Sequence, residues 1–174
     1  ELYEVFFEYR TKFDMEMNNN EKDYAHLHYL KIIEDIKYIR KVSFNYALGE
    51  ELAAKYIRHF ESLSNNDITK ELQNEIIGGL IGHRAYFKYK QNKIIDAANT
   101  FKKSIEVEPT NYKSYYDFAE MSEEILNTLC TPSPDDPPQT PESKANLISM
   151  EKIWFENVMS NYLMSIIFLM RKYH

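Results

Sequence analysis

Apolar side chains recur along this chain at intervals of three and four residues, and almost nowhere at intervals of two. That period belongs to amphipathic helices, not to strands. Leu2, Phe6, Tyr9 and Phe13 follow it over residues 2–17. Beyond Asn18, Asn19 and Asn20, residues 22–46 carry Leu30, Ile33, Ile36 and Phe44 on one face, with Lys37 and Arg40 at its rim. Gly49 punctuates, and Leu52, Tyr56, Phe60 and Leu63 line up along a shorter helix over residues 50–62. After a polar break at 64–67, Leu72, Ile76, Leu80, His83 and Phe87 make a stripe over residues 67–90, opened by Asp67 and Glu71. Gly78, Gly79 and Gly82 lie inside that stripe, where each costs about 1 kcal/mol against alanine. A close helix crossing or a kink would account for them.

Asn92 is placed to cap the next helix, residues 93–107, whose face is Ile94, Ala97, Ala98, Phe101 and Ile105 and which Pro109 stops. Residues 112–129 repeat the pattern with Tyr115, Phe118, Ala119, Ser122, Leu126 and Leu129. The stretch TPSPDDPPQTPES, residues 131–143, can form neither helix nor core and predicts an exposed, mobile loop. A long final helix over residues 146–173 carries Leu147, Met150, Trp154, Val158, Tyr162 and Ile166. The pattern therefore predicts an all-α chain of seven helices in antiparallel pairs.

Composition narrows this further. The 174 residues hold only 4 Gly and 6 Pro, and five of those prolines fall between Pro132 and Pro141. A sandwich or barrel needs turn residues every 8–12 positions, and a nucleotide-binding enzyme needs a glycine-rich phosphate loop; neither is present. The net charge of −6, with no basic stripe, argues against direct nucleic-acid binding. One cysteine, Cys130, allows no disulfide within the chain and favours an intracellular, reducing setting. The longest apolar run, Tyr162 to Met170, is far short of the ~20 residues of a membrane span and reads as a buried helix end. No membrane partner is expected. The chain opens at Glu1, already in a helical pattern, and is expected to be a single helical-repeat segment (residues 1–174) of a larger protein.

Within it, residues 80–111 have the layout of a tetratricopeptide unit. Ala85, Ala97, Phe101, Ser104 and Pro109 stand where that repeat wants small, small, large, small and proline. Small residues let two helices close on each other, the aromatic fills the gap beside them, and proline ends the second helix. The order continues as IIDAANTFKKSIEVEP, then YKSYYDFAEM, then the proline-rich insertion, then FENVMSNYLMSII. From about residue 55 onward this resembles the FAT-domain repeats of the phosphatidylinositol-3-kinase-related kinases, and within that group its pseudokinase branch. The family's "DEA-x-x-x-F-x-x-A" is matched by Asp96, Ala97, Ala98, Phe101 and Ser104. Its "K-A-W-x-x-W-G" is matched by Lys113 to Ala119, with Tyr115 and Phe118 for the tryptophans and Ala119 for the glycine. Its "A-I-x-x-Y-x-x-A" is similar to the stretch from Val158 to Ser165, with Tyr162 aligned.

The resemblance implies stacked antiparallel helix pairs in a TPR/FAT-like α-solenoid. It also implies a non-catalytic scaffold in a nuclear histone acetyltransferase co-activator complex. The partners implied are other protein subunits and neighbouring helical repeats of the same chain. Two alternatives stand beside it: a FAT segment clamping the kinase domain of an active member of the family, and a free-standing TPR adaptor.

Candidate chemistry is sparse, and no enzyme activity, cofactor, metal or small-molecule substrate is expected. His26 and His28 are two apart and face different ways on a helix, so they cannot easily share a metal. His59 has no nucleophile beside it in sequence, and His83 reads as a satisfied core histidine. Cys130 lacks a CxxC partner and reads as an unactivated thiol. Adjacent acidic pairs diverge on helices, and the kinase signatures are absent. Ala85, Ala97, Phe101, Tyr115, Phe118, Trp154 and Tyr162 are expected to act by packing. Thr131, Ser133 and Thr140 each precede a proline in an acidic stretch and are candidate sites for proline-directed kinases.

Overall fold

The computed structural model describes residues 21–63, 68–131 and 140–173, with backbone alone for residues 21–28. The predicted first helix, the Ser64–Asp67 break with its Asp67 opening, and most of the proline-rich loop lie outside them, as do the His26 and His28 side chains. The described residues form six helices and no strand: α1 (Glu21–Tyr38), α2 (Tyr46–Ser62), α3 (Lys70–Lys90), α4 (Ile94–Val107), α5 (Tyr112–Cys130) and α6 (Pro141–Tyr173). The fold class is all-α.

Polar residues at helix starts set the boundaries. Asn45, Thr69, Asn111 and Thr140 each accept a hydrogen bond from the backbone N–H three residues on, at 3.1–3.3 Å. Each satisfies one of the orphan donors of a helix N-terminus. With Thr140 as cap and Pro141 in the first turn, α6 begins five residues earlier than the sequence pattern predicts.

Three other boundaries differ from expectation. The single helix expected over 22–46 breaks before its end: α1 widens into a π-helical turn at Ile39–Ser43, and Phe44 takes a left-handed conformation (φ 52°). Gly49, expected to break the chain, sits inside α2 because a Cβ there would come within 2.6 Å of the fully buried Phe87 ring. It is a residue of close approach, not of a turn. Asn92, expected to cap α4, instead ends α3 with φ 61°, its N–H bonded to Tyr89 O at 2.8 Å. Lys93 stands at the α4 N-cap with no side-chain cap.

Helices α2 and α3, and likewise α4 and α5, run antiparallel, as their pairings show. Gly49 meets Phe87 while Gln73 Nε2 donates to Phe60 O at 2.6 Å, so α2 and α3 run in opposite directions. Phe101 stacks on Phe118 and Ser104 bonds Ser114, which reverses α5 against α4. One core cluster joins α1, α2 and α3 through Ile32, Ile36, Ile39, Phe60, Leu80 and Phe87. In α1 the inner face is Ile32, Ile33, Ile36 and Ile39, whereas Leu30 and Phe44 are exposed.

The glycines of α3 explain how it meets α4 and α5. The helix is unbroken from Lys70 to Lys90, so no break interrupts it at these positions. A Cβ at Gly78 would lie 2.5 Å from Glu108 Cβ, and one at Gly82 would collide with Ser114 Oγ. Ser104 Oγ donates to Gly78 O and pairs with Ser114 Oγ, both at 2.7 Å. Three helices thus close on one small-residue seam whose few polar atoms bond each other.

Candidate functional site

Helix α6 has two faces that reverse the usual sorting of side chains. Toward α5 it presents Leu147, Glu151, Trp154, Val158, Asn161, Ser165 and Phe168, spaced alternately by four and three. The buried positions among them are the small polar Asn161 and Ser165. The reason lies on α5, whose aromatics fill the space between the two helices: Tyr115 stacks on Phe168 at 5.6 Å and Tyr116 meets Tyr162 edge-on at 5.8 Å. Tyr162 Oη donates to Glu123 Oε2 at 2.7 Å, and Asn161 Nδ2 to Asn157 O at 2.8 Å. Large apolar residues on α6 would hold the helices apart at these points.

The opposite face carries the apolar residues that the inner face has no room for. Ile148, Phe155, Met159, Leu163, Ile166, Met170 and Tyr173 are each 54–71% exposed. Met150 and Ile166, expected on the packed face, are exposed as well. Residues 157–170 contain no Asp, Glu, Lys or Arg. Single exposed apolar residues are ordinary on a protein surface, but a contiguous stripe of them marks an interaction site. Helix α6 is also long and apolar enough to cross a membrane by length and composition, which the nine-residue apolar run alone did not reveal.

The residues singled out for packing fall into three groups. Ala85, Ala97, Phe101 and Phe118 share one buried cluster with Met121, and half-buried Trp154 of α6 packs on its edge. Phe101 and Phe118 stack with centroids 5.4 Å apart and planes at 12°. Tyr115 is buried elsewhere, against Phe168, and Tyr162 is half-buried against Tyr116. Of the candidate phosphorylation sites, Thr131 is exposed and its Oγ1 donates to Asn127 O at 2.8 Å. Thr140 is exposed at the α6 N-cap, and Ser133 lies outside the described residues.

Sequence reasoning missed one polar constellation. Arg40, expected at a helix rim, turns inward from the π-turn and binds Asp117 of α5 with two hydrogen bonds of 2.9 and 3.1 Å. Its guanidinium lies 3.6 Å from the Tyr86 ring centroid and 3.2 Å from His83 Nδ1. The partly buried His83 has its pKa pushed down to about 3, by burial first and by the Arg40 charge next. The only advance signal was an arginine beside the inward, fully buried Ile39. Four groups that bond or stack on one another leave no free acid, base or nucleophile, so this cluster reads as a clamp tying α1 to α3 and α5.

A second polar spot is a shallow hollow of about 290 Å³ lined by Glu50, Arg84, Gln91 and Lys93. Its groups are largely neutralised: Lys93 Nζ and Gln91 Nε2 reach Glu50 Oε2 at 2.8 and 2.9 Å. Burial pushes the Glu50 carboxyl up, and those two bonds more than offset it, leaving the pKa below the usual value. Cys130 is exposed, and desolvation and then the Glu151 carboxyl hold its thiol above the usual range, the opposite of an activated nucleophile. Among the described residues, no three His, Cys, Asp or Glu side chains converge as a metal site would require. No family model, curated protein or solved structure matches the chain.

Proposed function

We propose that this chain is a non-catalytic helical scaffold segment of FAT type, related to the pseudokinase TRRAP, which scaffolds histone acetyltransferase co-activator complexes. The observation that carries the reading is α6. Its inner face is fitted to α5 by small residues, and its outer face leaves a charge-free apolar stripe open. In a stacked helical array each helix pair covers the next, and a terminal apolar face is where a further repeat or a partner subunit packs. The small-residue seam of Gly78, Gly82, Ala97, Ser104 and Ser114 supports the same solenoid arrangement, because it lets helix pairs stack closely. On this reading Phe101, Phe118, Tyr115 and Trp154 act by shaping the array, and Thr131, Ser133 and Thr140 are positions where phosphate would alter docking.

Affinity purification from nuclear extract followed by mass spectrometry tests it. Recovery of acetyltransferase-complex subunits, lost when Leu163 and Ile166 are changed to Glu, is the expected result. Recovery of chaperones instead would favour a free-standing TPR adaptor. A parent chain whose downstream kinase region keeps its catalytic Asp would favour an active kinase of the same family.

A further inference from the structure

We infer that Thr131 and Thr140 are a pair of phosphorylation sites with opposed effects: phosphate on Thr140 consolidates the start of α6, and phosphate on Thr131 loosens the end of α5. The inference rests on the reading of these residues as sites for proline-directed kinases and adds what each phosphate does to the fold.

Helix α6 is longer than the surface it packs on. It runs antiparallel to α5: Phe168 meets Tyr115, Tyr162 meets Tyr116 and Glu123, and Glu151 bonds Cys130, the last residue of α5. Residues 141–150 therefore project past the end of α5, for about 15 Å at 1.5 Å per residue. None of these residues is buried, and only Leu147 is half-buried. A segment with so little burial draws its helicity from local interactions, its N-cap Thr140 first among them.

The two threonines use their hydroxyls in opposite senses. Thr140 Oγ1 accepts from Ser143 N at 3.1 Å, and Thr140 O accepts from Lys144 N at 3.0 Å. Thr131, at the C-cap of α5, donates from Oγ1 to Asn127 O at 2.8 Å. Both are exposed and both precede a proline. A kinase moves the γ-phosphoryl group of ATP onto such an oxygen: a new O–P bond replaces the bond to ADP, and the hydroxyl proton leaves to the kinase's base. The product carries about −1.5 to −2 charges and accepts hydrogen bonds where the hydroxyl could donate. At Thr140 that suits the site, since the phosphate faces the free N–H groups and positive end of α6, and Lys144 one turn on offsets Glu142. At Thr131 it does not. The bond to Asn127 O is lost, negative charge is set at the negative end of α5, and the phosphate stands one residue from the Cys130–Glu151 contact, where it repels the carboxylate of α6.

Amide hydrogen exchange tests this on the full chain treated with a proline-directed kinase and ATP, the modified residues being mapped by mass spectrometry. Two variants isolate the sites. Thr131→Ala with Ser133→Ala leaves Thr140 alone before a proline. Ser133→Ala with Thr140→Asn leaves Thr131, because asparagine keeps a cap on α6 and takes no phosphate. Each is compared with its own unphosphorylated form. Phosphate on Thr140 should slow exchange over residues 143–150 by roughly two- to fivefold. Phosphate on Thr131 should speed exchange over residues 126–130 by roughly two- to tenfold. Unmodified Thr140→Ala should speed exchange over residues 143–150, and no change there would overturn the dependence of this segment on its cap. Phosphate effects of the same sign at both sites, or none at either, overturn the opposed pair while leaving the residues as kinase sites. A kinase that modifies neither threonine overturns that underlying reading as well. None of these outcomes depends on which subunits the chain captures from nuclear extract.

Discussion

The seam between α3, α4 and α5 and the contact between α5 and α6 both rely on small residues, yet they sort their large ones in opposite ways. At the seam, glycine, alanine and serine bring the backbones together, and the neighbouring aromatics Phe101 and Phe118 are buried beside them. On α6, Asn161 and Ser165 bring the helix onto α5 while Phe155, Leu163 and Ile166 are turned to the outside. The first arrangement is that of an interior whose packing is complete. The second leaves apolar residues on the surface, and the difference separates residues that hold the fold from residues that the fold does not use.

The comparison breaks first at Phe101. Its side chain is fully buried and stacked on Phe118, so Phe101→Ala should destabilise the chain by about 3–5 kcal/mol, through lost burial and a cavity that rigid helices cannot close. Urea unfolding followed by circular dichroism measures it. A loss below 1 kcal/mol would mean that the seam is no better packed than the outer face of α6. Gly49→Ala should come next, at about 1–3 kcal/mol. Alanine normally gains about 1 kcal/mol over glycine inside a helix, but here its Cβ meets three atoms of a fully buried ring. Phe87→Leu in the same chain should recover part of that loss by freeing the space. A stabilising Gly49→Ala would refute the close-approach account.

How much of this could be read from the sequence depends on what each residue's neighbours were. The all-α class was legible because the three-and-four period runs through the whole described chain. The element over residues 70–90 was legible too, since its stripe is a local signal, and so was the end of α4, which Pro109 stops. The register of α6 was not. Choosing its most apolar stripe selects Met150 and Ile166, but the inward face answers to Tyr115 and Tyr116 on α5, which meet Phe168 and Tyr162 at 53 and 46 residues' separation. The Gly49 boundary failed for the same reason, because the glycine answers to Phe87 on another helix. Arg40 was read as a rim residue since Asp117, its partner, lies 77 positions on. Local pattern gives helices, and their mutual fit gives faces.

The Arg40 clamp offers a smaller and graded test. Burial and then the Arg40 guanidinium push the His83 pKa down to about 3, from 6.5 in the unfolded chain. Above pH 6.5 the ring is neutral in both states and contributes no pH dependence. Below it the unfolded chain takes up a proton that the folded chain refuses, so stability should fall as pH drops from 6.5 toward 3, by up to ~1.4 kcal/mol per pH unit. His83→Gln should flatten that slope between pH 6 and pH 4 while leaving α6 untouched. An unchanged slope would show that the histidine takes up its proton in the folded state as readily as in the unfolded one.

The smallest expected effect is the one that defines the other half of the comparison. Leu163 is 58% exposed on α6, so in a monomer its side chain is already largely in water. Leu163→Gln keeps a helix-compatible, unbranched side chain and removes an apolar surface that the fold does not use. At a concentration low enough to keep the chain monomeric, unfolding should therefore shift by no more than about 0.5 kcal/mol. A large loss at low concentration would place Leu163 in the core of the monomer and remove the distinction between the two regions. A small loss would show that the fold itself does not use this side chain.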